Sequence, residues 1–181
     1  ENYVSGFSDE HVFTIPQTKL KIIKSWPFIY WISDEFREKF GVASIGDELN
    51  NGQGLITSDN NRFLRFHWEV NQDDIRSDGE SSFKWVRYAK GGPYVKWYGN
   101  LWLVVNWANN GHEIRNFVDE KGKQRSRPQN ESFYFKAGVT YSSAGSKGAS
   151  FRFLPENHIF DSGGSSIFGS VKFNNPYYVL A

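Results

Sequence analysis

Apolar positions recur along this chain at two spacings, and each predicts a different element. In Pro27–Phe40, Phe28, Ile29, Ile32, Phe36 and Phe40 fall three or four apart, which predicts one helix with a buried stripe. Pro27 suits its first turn and Gly41 its stop. A shorter helix is predicted over Ser44–Leu49. Before them, residues 1–24 mix Val4, Phe7, Val12, Phe13 and Ile15 with polar neighbours, and Pro16 disfavours a helix, so an extended lead-in is expected.

Farther along, apolar and polar residues alternate or cluster in short runs bounded by turn residues, the pattern of strands. Phe63–Val70, Lys84–Tyr88 and Leu101–Trp107 are the first three, followed by Val139–Ser143, Ser150–Leu154, His158–Asp161 and Ser166–Phe173. Residues 71–82 are polar and acidic, a surface loop. Gly91-Gly92-Pro93, Gly99-Asn100 and Asn109-Asn110-Gly111 mark turns, and His112–Phe117 has room for a helical turn. Lys121-Gly122-Lys123 turns the chain into Gln124–Asn130, which is too polar for a core. Asn175-Pro176 has the form of an N-cap followed by a first helical residue. The sum is one α+β domain over residues 1–181, with a twisted, mixed or mainly antiparallel sheet and flanking helices.

Charge changes this picture more than composition does. The chain of 181 residues has a net charge of only +1. Counted by segment, Lys and Arg less Asp and Glu give −6 over residues 1–83, +8 over 84–152 and −1 over 153–181. The basic middle third also holds Trp85, Tyr88, Tyr94, Trp97, Tyr98, Trp102 and Trp107. A basic face on an acidic body points to a polyanion as partner. The four tryptophans are read as core or groove wall, because duplex DNA keeps its bases stacked.

Several chemistries are excluded or unsupported. The chain has no cysteine, which rules out a disulfide, a thiolate zinc site and a cysteine nucleophile, and suits a reducing cytosol. His11, His67, His112 and His158 lack metal-ligand spacing, so no metal is assigned. Neither a Gly-x-Ser-x-Gly elbow, a Walker loop nor a dinucleotide fingerprint is present. Asp161–Ser166 reads as a turn between strands, and Asp73 and Asp74 as loop residues. Asn175-Pro176-Tyr177-Tyr178 resembles the Asn-Pro-Pro-Tyr signature of amino-methyltransferases but lacks its second proline, and helix initiation accounts for it. No signal sequence or membrane-spanning run is evident, and the apolar run at Val179-Leu180-Ala181 and the absence of an initial Met suggest a piece of a longer polypeptide.

What remains is recognition of a nucleic acid. Lys84, Arg87, Lys90, Lys96, Lys121, Lys123 and Lys147 are candidate phosphate contacts, which position a duplex without reading it. Arg115, Arg125, Arg127, Gln129, Asn130 and Asn106 are candidates for base edges, since Arg suits guanine and Asn or Gln suits adenine. Thr57, Asp59, Asn60 and Arg62, in the glycine-rich run Asn51–Phe63, form a second candidate contact; a plain hairpin turn with Arg62 in solvent is the alternative. A carbohydrate- or protein-binding module with an aromatic platform is the rival function, and a free-standing hydrolase or nuclease a third.

A family resemblance rests on particular residues. Gly54–Phe66, Lys84-Trp85, Gly91-Gly92, Lys96–Asn100, Val104–Trp107, Gly111, Ile114-Arg115 and Arg125–Asn130 together resemble the C-terminal part of PglX, a family of adenine-specific DNA methyltransferases of BREX phage-defence systems. The Gly-Leu-x-Thr-x-Asp-Asn element at 54–60 also resembles a loop in the target-recognition domains of type I specificity subunits, with Ser58 where those relatives usually carry glycine. The resemblance implies a target-recognition-like fold, double-stranded DNA as partner, and a methyltransferase domain upstream in the same polypeptide. It implies S-adenosylmethionine as that domain's cofactor, none held by these residues, transfer to the exocyclic amine of adenine, other BREX proteins as partners, and a bacterial cytoplasmic setting.

Overall fold

The computed structural model describes residues 14–25, 27–76 and 83–180, so the Val4, Phe7, Val12 and Phe13 part of the lead-in lies outside the described residues. The chain divides into two compact units, Glu1–Asp47 and Glu48–Ala181.

In the first unit the helical pattern is realised only in short pieces: α1 (Gln17–Leu20) and α2 (Asp34–Glu38), with α3 (Ile45–Glu48) at the boundary. α1 corrects the extended reading of residues 17–20, and Pro16 occupies its N-cap, where a missing N–H has no consequence. The helix predicted from Pro27 starts seven residues late, at Asp34. The reason is local: Ser33 caps it, its Oγ accepting from Phe36 N at 3.2 Å, with Asp34 and Glu35 in the first turn. Nor is the apolar stripe buried, since Phe28, Phe36 and Phe40 are exposed while Arg37 is the buried residue of α2, donating to the Ile29 carbonyl at 3.0 Å.

The second unit carries two four-stranded sheets. The first has the order β1 (Asn50–Gly52), β8 (Ser166–Phe168), β5 (Gly138–Thr140), β6 (Arg152–Leu154), all antiparallel. The second has the order β2 (Leu64–Phe66), β4 (Leu103–Asn106), β3 (Trp85–Ala89), β7 (His158–Phe160), antiparallel except for the β3–β7 pair. The seven predicted strands are therefore present, most of them shorter than the pattern suggested, while β1 falls where no strand was predicted. Phe63–Val70 gives a strand only over Leu64–Phe66, because Glu69 folds back and its carboxylate accepts from Phe66 N at 2.7 Å, curling His67–Glu69 into a 3-10 turn. Asn175 does begin a turn, its Oδ1 accepting from Tyr177 N at 2.9 Å, but Pro176–Leu180 is 3-10 rather than α-helical.

The core gathers Leu55, Phe63, Val86, Tyr88, Val105, Ile114, Leu154, Ile159 and Phe160, with Phe133 stacked on Phe168 at 4.7 Å between ring centres. It holds the second sheet to one strip of chain that no strand assignment captures. Leu55 N donates to the Phe160 carbonyl at 2.8 Å beside β7, and Ile56 and Arg127 exchange antiparallel hydrogen bonds of 3.0 and 2.8 Å. Thus the sheet continues past β7 through residues 55–56 to residue 127. Tyr88, fully buried on β3, fixes this strip: its hydroxyl reaches the Leu55 carbonyl at 3.1 Å and the Asp161 carboxylate at 2.9 Å. Burial, with Asp161 beside it, holds the phenol well above its ordinary pKa, so it stays a donor. Tyr88→Phe leaves the Asp161 carboxylate short of a partner in a buried position, and a loss of about 1.5–3 kcal/mol in chemical denaturation is expected; unchanged stability would mean that the strip is held by other contacts.

Candidate nucleic-acid interface

The strip delivers two segments that are far apart in sequence to one place. The first is the glycine-rich run. Thr57, buried, shares its hydroxyl with Asn60 Oδ1 at 2.7 Å, and Asp59 Oδ1 accepts from Arg62 N at 3.0 Å as N-cap of the short helix α4 (Asn60–Phe63). Thr57, Asp59 and Asn60 therefore shape the loop, and of its exposed residues Ser58, Asn60, Asn61 and Arg62 the cation is Arg62. Ser58 takes φ of +56°, in the left-handed region that glycine adopts freely, consistent with the glycine expected there. Its hydroxyl donates to the Arg125 carbonyl at 2.8 Å.

That bond joins the second segment. Along Arg125-Ser126-Arg127 the side chains alternate as in a strand: Ser126 is fully buried, its hydroxyl on the Thr57 carbonyl, while Arg125 and Arg127 are exposed. Gln124–Asn130 is thus polar because it forms a rim with one buried hydroxyl. Gln129 and Asn130 spend their amide N–H groups inward, on the Gly54 carbonyl at 3.1 Å and the Gln53 carbonyl at 2.9 Å. Each keeps its side-chain oxygen as an acceptor.

Between the segments lies Phe117, a residue the sequence reading passed over. Its ring meets buried Phe63 edge-to-face at 5.3 Å. The Arg62 guanidinium sits 5.0 Å from the centre of the same ring and the Arg125 guanidinium 5.1 Å from it. The backbone here is a hairpin: Arg125 N donates to the Phe117 carbonyl at 2.8 Å, Val118 pairs with Gln124, and Asp119 Oδ1 accepts from Lys121 N and Lys123 N at 2.9 Å each. Exposed Lys121 and Lys123 form its tip. The apolar pair Phe117-Val118 ahead of Asp119–Gly122 was the sequence signal for this hairpin.

Other candidates are placed elsewhere or engaged. Arg115 is bound to Glu131, once at 2.9 Å and through a second, shorter contact, and these bonds raise its pKa further. Asn106 is buried with its Oδ1 accepting from Ala108 N at 3.3 Å. Lys90 lines a cleft of about 470 Å³ with Asn60, Asn61 and Arg65, adjoining the loop. Arg87, by contrast, lines a separate cleft of about 680 Å³ with Arg76, Glu156 and His158, whose pKa burial lowers. Lys147 lines a third, of about 330 Å³, with Gly92 and Ser146. Lys84 lies against Trp85 and Lys96 against Trp97. Among the described residues the ion pairs are Lys19–Asp34, Arg37–Asp34 and Arg115–Glu131, so Arg62, Lys90, Lys121, Lys123, Arg125 and Arg127 have no carboxylate partner there.

Trp85 and Trp107 are core residues and Trp102 lines the wall of the Lys90 cleft, as expected, but Trp97 is on the surface, with Tyr94 and Tyr98. Packing fails for Trp97 because its backbone, at φ of +73°, pairs with the edge strand at Arg152 and leaves the ring outside. No helix among the described residues is long and apolar enough to cross a membrane.

No protein-family model matches the chain. It is 34% identical over 168 residues to the adenine-specific methyltransferase PglX of Lacticaseibacillus casei, a match covering 88% of this chain and 14% of that protein. It is 32% identical over 154 residues to the adenine-specific methyltransferase BrxX of Escherichia coli, covering 84% of this chain and 12% of that protein. The chain thus spans well under a fifth of the length of these curated relatives. By this kinship the chain belongs to the family of the adenine-specific methyltransferases PglX and BrxX, as the counterpart of one segment of them.

Proposed function

We propose that this chain is the sequence-reading, duplex-DNA-binding module of an S-adenosylmethionine-dependent adenine DNA methyltransferase of a BREX-type defence system. The observation that carries the reading is the pairing of Ile56 with Arg127, which sets the 57–62 loop and the 125–130 rim side by side with their guanidinium groups exposed and free of carboxylates among the described residues. Cationic side chains without internal partners release counterions when they meet phosphates, and arginine forks read guanine edges. Lys121 and Lys123, which flank the rim, and Lys90, which adjoins the loop, serve as phosphate contacts; Arg62, Arg125 and Arg127 reach the bases, with the side-chain oxygens of Gln129 and Asn130 as acceptors beside them. Methyl transfer and the cofactor belong to a methyltransferase domain in the same polypeptide, and other BREX proteins in the bacterial cytoplasm are its partners.

Exposed Tyr94, Trp97 and Tyr98 give the aromatic-platform reading its footing. Salt separates the two. In the full-length protein that carries this sequence, duplex binding falls steeply with added salt, and Lys121→Ala with Lys123→Ala weakens all duplexes alike while lowering the log–log salt slope by roughly one per lysine. Binding that ignores salt, or that goes to an oligosaccharide, defeats the proposal.

A further inference from the structure

We infer that Arg62 and Arg125 form a matched pair of guanine readers and that Phe117 is the residue that positions them. The inference rests on the DNA-binding reading above and goes beyond it in naming the bases and the positioning group. Both guanidinium carbons lie about as far from one phenyl centre, at 5.0 and 5.1 Å, although the two arginines are more than sixty positions apart in the chain. Arg62 also rests 5.3 Å from Phe63, so its side chain is flanked by two rings.

A guanidinium held against a ring keeps its charge and its in-plane N–H fork while losing much of its rotamer freedom before any ligand arrives. That arrangement suits a bidentate contact to guanine O6 and N7 better than a phosphate contact, which needs charge but no fixed plane. The ring itself is fixed from behind by Phe63, which is fully buried, and the Arg125 backbone is fixed by Phe117 and Ser58. A loop shaped by Thr57 and Asp59 and a hairpin shaped by Asp119 therefore converge on one ring.

The geometry also limits the target. With both groups about 5 Å from a common centre, they stand no more than about 10 Å apart. Each fork reaches about 4 Å beyond its carbon, so at 3.4 Å per base-pair step the two guanines fall within roughly five steps of each other, on either strand.

The test uses the full-length protein and selection of bound duplexes from a randomised pool, with binding constants measured on the selected sequence and its single-base variants. Arg62→Lys and Arg125→Lys keep the charge and remove the fork. Each is expected to lower discrimination at one guanine by about tenfold to a hundredfold, at two different positions within roughly five steps, while binding to unrelated duplexes and its salt slope stay as in the wild type. Phe117→Leu, which keeps an apolar side chain but removes the ring, is expected to weaken discrimination at both positions together, and Phe117→Tyr, which keeps the ring, to retain it. Salt-dependent duplex binding with an unchanged base preference in both lysine variants overturns this inference alone. Loss of affinity for every duplex in those variants assigns the two arginines to phosphates and overturns it too. A wild-type protein that binds no duplex overturns the DNA reading with it.

Discussion

Gly54→Ala is expected to destabilise the second unit by about 3 kcal/mol or more, the upper end for overpacking of a closed site. A Cβ built on Gly54 would lie 1.8 Å from the Phe160 carbonyl oxygen and 2.7 Å from its ring. Neither can yield easily. The carbonyl is backbone of β7 and accepts from Leu55 N, and the ring belongs to the core. Relief requires residues 54–56 to leave the sheet, which breaks the Ile56–Arg127 pairing and the Gln129 contact to the Gly54 carbonyl. The melting temperature should fall by roughly 6–12 °C, and DNA binding should fall with it. Gly145→Ala, where nothing lies within 4 Å of the added carbon, is the control and should leave the melting temperature unchanged. A Gly54→Ala protein as stable as the wild type would show that this close approach does not hold the strip.

The largest effect on binding is expected from reversing two charges on the rim. Arg125→Glu with Arg127→Glu replaces two cations by two anions facing the proposed duplex. The lost contacts are worth about 1–3 kcal/mol each, and the repulsion adds to that, so specific affinity should fall by roughly a thousandfold or more. Folding should survive. Both side chains are exposed, and apart from the Arg125 guanidinium on the Phe117 ring both residues engage the fold through backbone atoms: Arg125 by its N–H on Phe117 and its carbonyl under Ser58, Arg127 by its two bonds to Ile56. Thermal denaturation of the double variant should therefore match the wild type while binding collapses. Affinity within a few-fold of the wild type would remove the rim from the interface.

The β3 and β4 strands were legible because they are central, and a strand buried on both faces reads as an apolar run whatever its partners. Helix pattern misled at Pro27–Phe40, where the apolar spacing is genuine but a serine cap seven residues in governs where the helix starts. The pairing of residues 55–56 with β7 and Arg127 left no periodicity to read, since each contact is a single bridge between distant stretches. Gly54 and Ser126 nevertheless carried hints: a glycine heading the apolar pair Leu55-Ile56 suits close backbone approach, and a small polar residue between arginines suits an inward position. Charge counting found the basic third but not its distribution. Nothing in one-dimensional charge distinguishes Arg125, which is exposed and has no carboxylate partner among the described residues, from Arg115, which Glu131 holds from sixteen positions away. Nor does it separate Lys90, beside the loop, from Arg87, three positions earlier but facing another cleft.

The 57–62 loop and the 125–130 rim touching the same stretch of duplex is the claim on which the rest stands. Photo-crosslinking of the full-length protein to a duplex selected for binding from a randomised pool, read by mass spectrometry at moderate salt, tests it most directly. Crosslinks concentrated at Ser58–Arg62, at Phe117 and at Arg125–Asn130 are the predicted result. Crosslinks confined to Tyr94–Tyr98 or to the Arg87 cleft, with both segments unmarked while the duplex stays bound, would contradict it.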